Sequence, residues 1–121
     1  MATVLIATPD TALYAIFAAE ISAEGHDLLW ALDGNEACTL TLSEQPQVVF
    51  LDRSLPIFNG FEACQHLRND PQCPPSLPIL ILSDDAIDSR QLAKVGATGC
   101  FPKTHSGQDV RDLIVKLLFS H

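Results

Sequence analysis

The sequence has no apolar stretch approaching the roughly 18 residues that a membrane span needs, and no basic segment precedes its first apolar run. Neither an anchor nor a signal peptide is expected, and a cytoplasmic location follows as the default. Positive charge is scarce. Seven Lys and Arg stand against 15 Asp and Glu, a formal net charge of -8, which argues against direct binding to nucleic acid or to an anionic membrane and suits partners with basic patches. The four cysteines, Cys38, Cys64, Cys73 and Cys100, include no C-x-x-C pair and no spacing that suggests zinc. Three fall within apparent core-forming elements, so reduced, buried thiols are expected. His26, His66, His105 and His121 form no ligand spacing either. Low-complexity segments and internal sequence repeats are missing as well.

What the chain does have is a regular alternation. Its 121 residues, 47% apolar and 18% charged, fit one soluble domain spanning 1–121. Thr3 to Ala7 reads as a first strand. A helix follows, with Thr8 as its cap, Pro9 in the first helical position and Asp10 near the positive end of the dipole. Leu13, Ile16, Phe17 and Ile21 recur at helical spacing until Glu24-Gly25. Asp27 to Leu32 is a second strand, and Asp33 with Glu36 resembles a capping box for a helix to about Glu44. Val48 to Leu51 has the content of a strand buried on both faces, with Asp52 directly after it. Pro56 bars continuation of that strand, and Asn59-Gly60 turns into a helix to about Asn69 with Phe61, Cys64 and Leu67 on one face. After a proline-rich loop come a fourth strand, Ile79 to Leu82, a weak helix over Ala86 to Val95, and a brief fifth strand over Thr98 to Pro102. The last helix carries Val110, Leu113, Ile114, Leu117 and Leu118 in the i, i+3, i+4, i+7, i+8 pattern.

Five βα units with right-handed crossovers predict an α/β fold: a five-stranded parallel sheet in the order 2-1-3-4-5, with helices on both faces. In such a sheet, chemistry collects outside the carboxyl ends of the strands. The residues there are Thr8 to Asp10, Asp52, Ser83 and Lys103. A carboxylate, a hydroxyl and an amine meeting in one crevice suit phosphoryl transfer to the carboxylate. Asp52 would be the nucleophile, Lys103 and a divalent cation would neutralise the phosphoryl oxygens, and Ser83 would donate a hydrogen bond to one of them.

From Val4 to Phe119 the chain resembles the receiver domain of two-component response regulators. The residues that carry this are Asp52, Leu55, Pro56 and Asn59-Gly60, then Ser83 after the fourth strand, Gly96-Ala97, and Lys103 after the fifth; Ala31-Leu32-Asp33-Gly34 and Ala37 also match. The resemblance implies a phosphoacceptor at Asp52, with Ser83 and Lys103 completing the site. It implies Mg²⁺ on Asp52, on the backbone carbonyl of Ser54 and, more weakly, on Asp10. As partners it implies a histidine kinase or phosphotransfer protein and a downstream output protein or fused effector domain, with homodimerisation open. It implies a signalling domain and not an enzyme, limited to self-catalysed phosphoryl transfer and dephosphorylation. Two departures stand out. Where receivers usually end the first strand with two adjacent metal-binding acids, this chain has Thr8 and Pro9, which should weaken Mg²⁺ binding substantially. The usual aromatic switch is Cys100, and the Pro that often follows the Lys is Thr104, so readout through Ser83, Cys100 and Lys103 is altered.

Plainer readings sit beside these. Lys103 could pair with Asp52 as a structural salt bridge, Ser83 could cap the following helix, and Asp84-Asp85 read as solvated loop acids that could assist a cation. Cys100 reads as a small apolar filler. The alternative function is a degenerate receiver acting as a phosphorylation-independent interaction module through its fourth helix, fifth strand and fifth helix. A flavin carrier would need glycines in the first strand-end loop that this chain lacks, and a metal-dependent phosphatase would want an acid where Ser54 stands.

Overall fold

The structure is a computed structural model, which describes residues 2–103 and 106–119. Its elements are β1 (Thr3–Ala7), α1 (Thr11–Ala23), β2 (Asp27–Ala31), α2 (Gly34–Glu44), β3 (Val48–Asp52), α3 (Gly60–Asn69), β4 (Ile79–Leu82), α4 (Ser89–Val95), β5 (Gly99–Phe101) and α5 (Gly107–Phe119). All four strand pairings are parallel, and the order is β2-β1-β3-β4-β5, as the alternation of elements predicts.

The alternation of side chains along each strand divides the core in two. Leu5, Ala7, Val49, Leu51, Ile79 and Ile81 face α2, α3 and α4, where Ala37, Ala63, Cys64, Leu67 and Val95 meet them. Val4, Ile6, Val48, Phe50, Leu80 and Leu82 face α1 and α5, meeting Leu13, Phe17, Ile21, Val110 and Ile114. β3 lies between β1 and β4 and is buried along its whole length. A run with no polar face is stable only in such a two-sided position.

Several helix ends differ from the sequence expectation. Asp10, not Thr8, caps α1: its Oδ1 accepts from the amides of Ala12 at 2.9 Å and Leu13 at 3.2 Å. Pro9 therefore lies outside the helix. α4 is shorter than expected and is capped by Asp88, whose carboxylate accepts from the Arg90 amide at 2.8 Å, so Ser83 has no capping role. In α2, Asp33 accepts from the Glu36 amide at 2.7 Å, but Glu36 reaches back to the Leu32 amide at 3.0 Å, one residue beyond a true capping box. A complete box forms at α3 between Asn59 and Glu62.

The loop from β3 to α3 is fixed from both sides. A Cβ at Gly60 would lie 2.7 Å from the Asp52 carbonyl oxygen, so α3 starts this close to the strand end only because the residue is glycine. Gly34 donates its amide to the Pro56 carbonyl at 3.1 Å, and a Cβ there would collide with the Phe58 carbonyl. Between these anchors Ile57 is held at φ 69° with 71% of its surface exposed. A β-branched residue in that region is strained.

The thiols sort by position. Cys64 and Cys73 are buried and Cys38 is half-buried, whereas Cys100 is exposed on the edge strand β5 and fills no core space. Burial pushes the Cys38 and Cys64 thiols up to about 11 from 9.0, and raises Cys73 too. Among the described residues no helix is long and apolar enough to cross a membrane.

Two outcomes are expected. Ile57→Gly relieves about 1–2 kcal/mol of left-handed strain against about 0.5–1 kcal/mol of added chain entropy in the unfolded state. Its urea midpoint should rise with m unchanged, while Ile57→Val stays near wild type. For the thiols, the folded values exceed the unfolded one, so their stabilising contribution is full below pH 9 and is lost as pH rises through about 11. Iodoacetamide at pH near 8 should accordingly label Cys100 first in the folded chain and all four cysteines in urea, as read by peptide mass.

Candidate functional site

Four strands deliver the site. Asp52 is the last residue of β3 and is 1% exposed, so its carboxylate must find its partners inside the protein. It has three. The Lys103 ammonium, placed by the segment directly after β5, lies 2.8 Å from Oδ1. The Ser54 backbone amide donates to the same oxygen at 2.8 Å. The Thr8 hydroxyl, fully buried just past β1, donates to Oδ2 at 2.7 Å. Thr8 is itself fixed: its hydroxyl accepts from the Asp10 amide at 3.1 Å, and its carbonyl accepts from the Trp30 indole at 2.9 Å. Trp30 in turn stacks on Tyr14 at 4.0 Å between ring centres.

Ser83 comes to the same strand end, one position past β4, and is buried. Its hydroxyl is engaged locally, donating to the Asp85 carbonyl at 3.0 Å and accepting from the Asp85 amide at 3.2 Å. The Arg53 guanidinium also reaches it, with Nη1 3.5 Å from Ser83 Oγ, the outer limit of a hydrogen bond. That guanidinium stands 5.3 Å from the centre of the Phe61 ring. The structure therefore brings Asp52, Ser83, Lys103 and Thr8 to one strand-end crevice, as the parallel topology requires. Arg53 is the residue sequence reasoning missed. Its only signal was its place next to Asp52, since the geometry depends on α3 turning Phe61 under it.

The remaining candidates are placed differently. Asp10 directs its carboxylate into the first turn of α1. Cys100 is exposed on β5, and its neighbour Phe101 packs with the core on the α1 and α5 side. Thr104 and His105 lie outside the described residues.

A divalent cation here would want one or two carboxylates in open octahedral geometry. The residues present do not fit that requirement. Asp52 is the one carboxylate at the centre, with an ammonium against one oxygen and a hydroxyl proton against the other, while Asp10 is occupied as a cap. Among the described residues no group of three His, Cys, Asp or Glu could hold a metal.

Comparison with known proteins agrees with the fold. The structure superposes on a chemotaxis response regulator of Vibrio cholerae with a TM-score of 0.89 at 24% identity, covering 98% of this chain and 99% of that one. A response regulator from Chloroflexus aurantiacus gives 0.85 at 24% identity, over 97% of each chain. The receiver domain of a sensor histidine kinase from Pseudomonas aeruginosa, described with a magnesium ion coordinated in its active-site cleft, gives 0.85 at 16% identity over 98% of each chain. At these identities the likeness shows the fold. The model of the response regulator receiver domain matches residues 4–115, and with nearly the whole length matched, the chain belongs to that family of two-component signalling domains.

Proposed function

We propose that this receiver domain accepts a phosphoryl group on Asp52 from a phosphohistidine of a histidine kinase or phosphotransfer protein, and passes the change on through a protein contact. The observation that carries this is the ion pair between Lys103 and the buried Asp52 at the end of β3. It aims the carboxylate into the crevice, with a hydroxyl-bearing Ser83 one strand away. In the reaction a carboxylate oxygen forms the new O–P bond while the bond from phosphorus to the donor's nitrogen breaks, and the imidazole leaves with the electron pair. Lys103 stays beside the transferring oxygens. The output partner, or a fused effector domain, has an available surface on β5 and α5, where Phe101, Pro102, Asp109, Asp112, Leu113 and Lys116 line an open cleft of about 420 Å³.

A second reading is favoured by one contact. Thr8 donates to Oδ2, so that both oxygens of Asp52 already have donors in the resting site. If that hydrogen bond is never released, the domain is a phosphorylation-independent docking module.

Intact mass after incubation with acetyl phosphate separates the two. A single phosphoryl adduct is expected for wild type and none for Asp52→Ala. Lys103→Ala should slow adduct formation by about 100-fold, the scale of removing one charge-stabilising group from a reacting centre. An unmodified wild type would leave the docking module as the function.

A further inference from the structure

Resting on the phosphoacceptor reading, we propose that Arg53, and not a divalent cation, supplies the second positive charge that a phosphoryl group on Asp52 requires. The charge count motivates it. In the resting site one carboxylate, Asp52, faces one ammonium, Lys103, at 2.8 Å. An aspartyl phosphate carries about two negative charges, so one charge is unmet in a water-poor crevice where electrostatic terms are large. Among the described residues no group of three His, Cys, Asp or Glu could hold a metal, and Asp10 is taken up as the cap of α1. The chain does offer a cation already in place.

Arg53 is half-buried, directly follows the acceptor, and reaches Ser83 Oγ at 3.5 Å. Ser83 is the hydroxyl expected to meet the phosphoryl oxygens. A half-buried guanidinium usually answers an acid, yet among the described residues no carboxylate lies within ion-pair distance of Arg53. Its other contact is the face of Phe61, 5.3 Å away, which steadies the plane and leaves N–H groups free to turn. A guanidinium presents several donors in a fixed fork that matches phosphate oxygens, which an ammonium does not. With the phosphoryl group in place, Arg53 and Ser83 bind its oxygens from the β4 side and Lys103 from the β5 side. The transfer is the same balanced step, a new O–P bond to Asp52 as the donor's leaving group departs with its electron pair, and no electron carrier is involved.

The test uses the whole chain in two assays. In the first, adduct formation with acetyl phosphate is timed by intact mass in EDTA and in Mg²⁺ for wild type, Arg53→Gln and Arg53→Lys, with thermal melts confirming that each is folded. In the second, inorganic phosphate is titrated calorimetrically into Asp52→Asn, whose crevice lacks the repelling carboxylate, and into Asp52→Asn with Arg53→Gln. The proposal expects wild-type rates that are equal with and without Mg²⁺, a loss of about 10- to 100-fold in Arg53→Gln with partial retention in Arg53→Lys, and phosphate affinity about 10-fold weaker in the double variant. An adduct that needs Mg²⁺, or that forms equally well in Arg53→Gln, overturns the role of Arg53 and leaves Asp52 as phosphoacceptor. If no adduct forms under any condition, the phosphoacceptor reading falls and calorimetry decides alone. Phosphate binding lost with Arg53 then supports the charge site, and binding that is absent or indifferent to Arg53 overturns it.

Discussion

The structure turns on a single buried anion. Asp52 ends a strand whose residues are all buried, and at 1% exposure its carboxylate cannot rely on water. Leaving such a charge unpaired would cost several kcal/mol. Three independent segments meet that demand: the end of β1 through Thr8, the turn after β3 through the Ser54 amide, and the segment after β5 through Lys103. The Ser54 amide is a local contact, whereas Thr8 and Lys103 reach Asp52 because parallel strands bring their carboxyl ends to one edge of the sheet. Neutralising the acid therefore also fixes how three loops sit on the carboxyl edge of the sheet.

Those loops are held to one another as well as to the acid. The turn before α2 is joined to the β3–α3 loop through the Gly34 amide and the Pro56 carbonyl. On the other side of the site, Arg68 of α3 spans several elements. Its guanidinium donates to the carbonyls of Gly96 at 2.8 Å, Pro75 at 3.3 Å and Leu77 at 2.7 Å, bringing the end of α4 and the proline-rich loop under α3. One long side chain thereby satisfies backbone acceptors that no regular element reaches. At the far face Arg111 of α5 pairs with Glu20 of α1 at 2.9 Å, so the two helices flanking the other half of the core are also coupled. The strained Ile57 sits in the one loop clamped from both ends, where surrounding contacts can impose a backbone that the residue alone would avoid.

Much of this was legible in the sequence, and the limits have physical causes. The strands declared themselves because each is a short apolar run ended by a polar residue, and their parallel order followed from the helices between them. That Asp52, Ser83 and Lys103 would come to one edge of the sheet was legible because a strand end is a position that sequence marks clearly. Caps were less legible. Thr8 and Asp10 are both good caps two residues apart, and the contest was decided by tertiary structure: the Thr8 hydroxyl is drawn to Asp52, which leaves Asp10 to serve α1. Ser83 lost its capping role in the same way, to a local turn with Asp85, and α4 begins at Asp88 instead. The exposure of Cys100 was misread because its place in a strand was taken as a guide to burial, while Cys73, in a loop, is buried. A loop folded beneath α3 is interior, and the last strand of an open sheet is an edge.

The replacement of acids by Thr8 and Pro9 has a consequence for the resting state that goes beyond metal affinity. With two adjacent acids at the end of β1, a receiver gathers three carboxylates around one ammonium, and the excess negative charge both recruits a cation and strains the site when none is bound. Here a neutral hydroxyl stands closest to Asp52, so one carboxylate balances one ammonium and every strong acceptor on Asp52 has a donor. Such a site is satisfied as it is. Thr8 is further fixed through its backbone carbonyl, which accepts from the Trp30 indole, itself stacked on Tyr14. The place of the acids at the end of β1 is thus taken by a neutral donor whose own backbone is held from β2, and the resting site balances without a second charge.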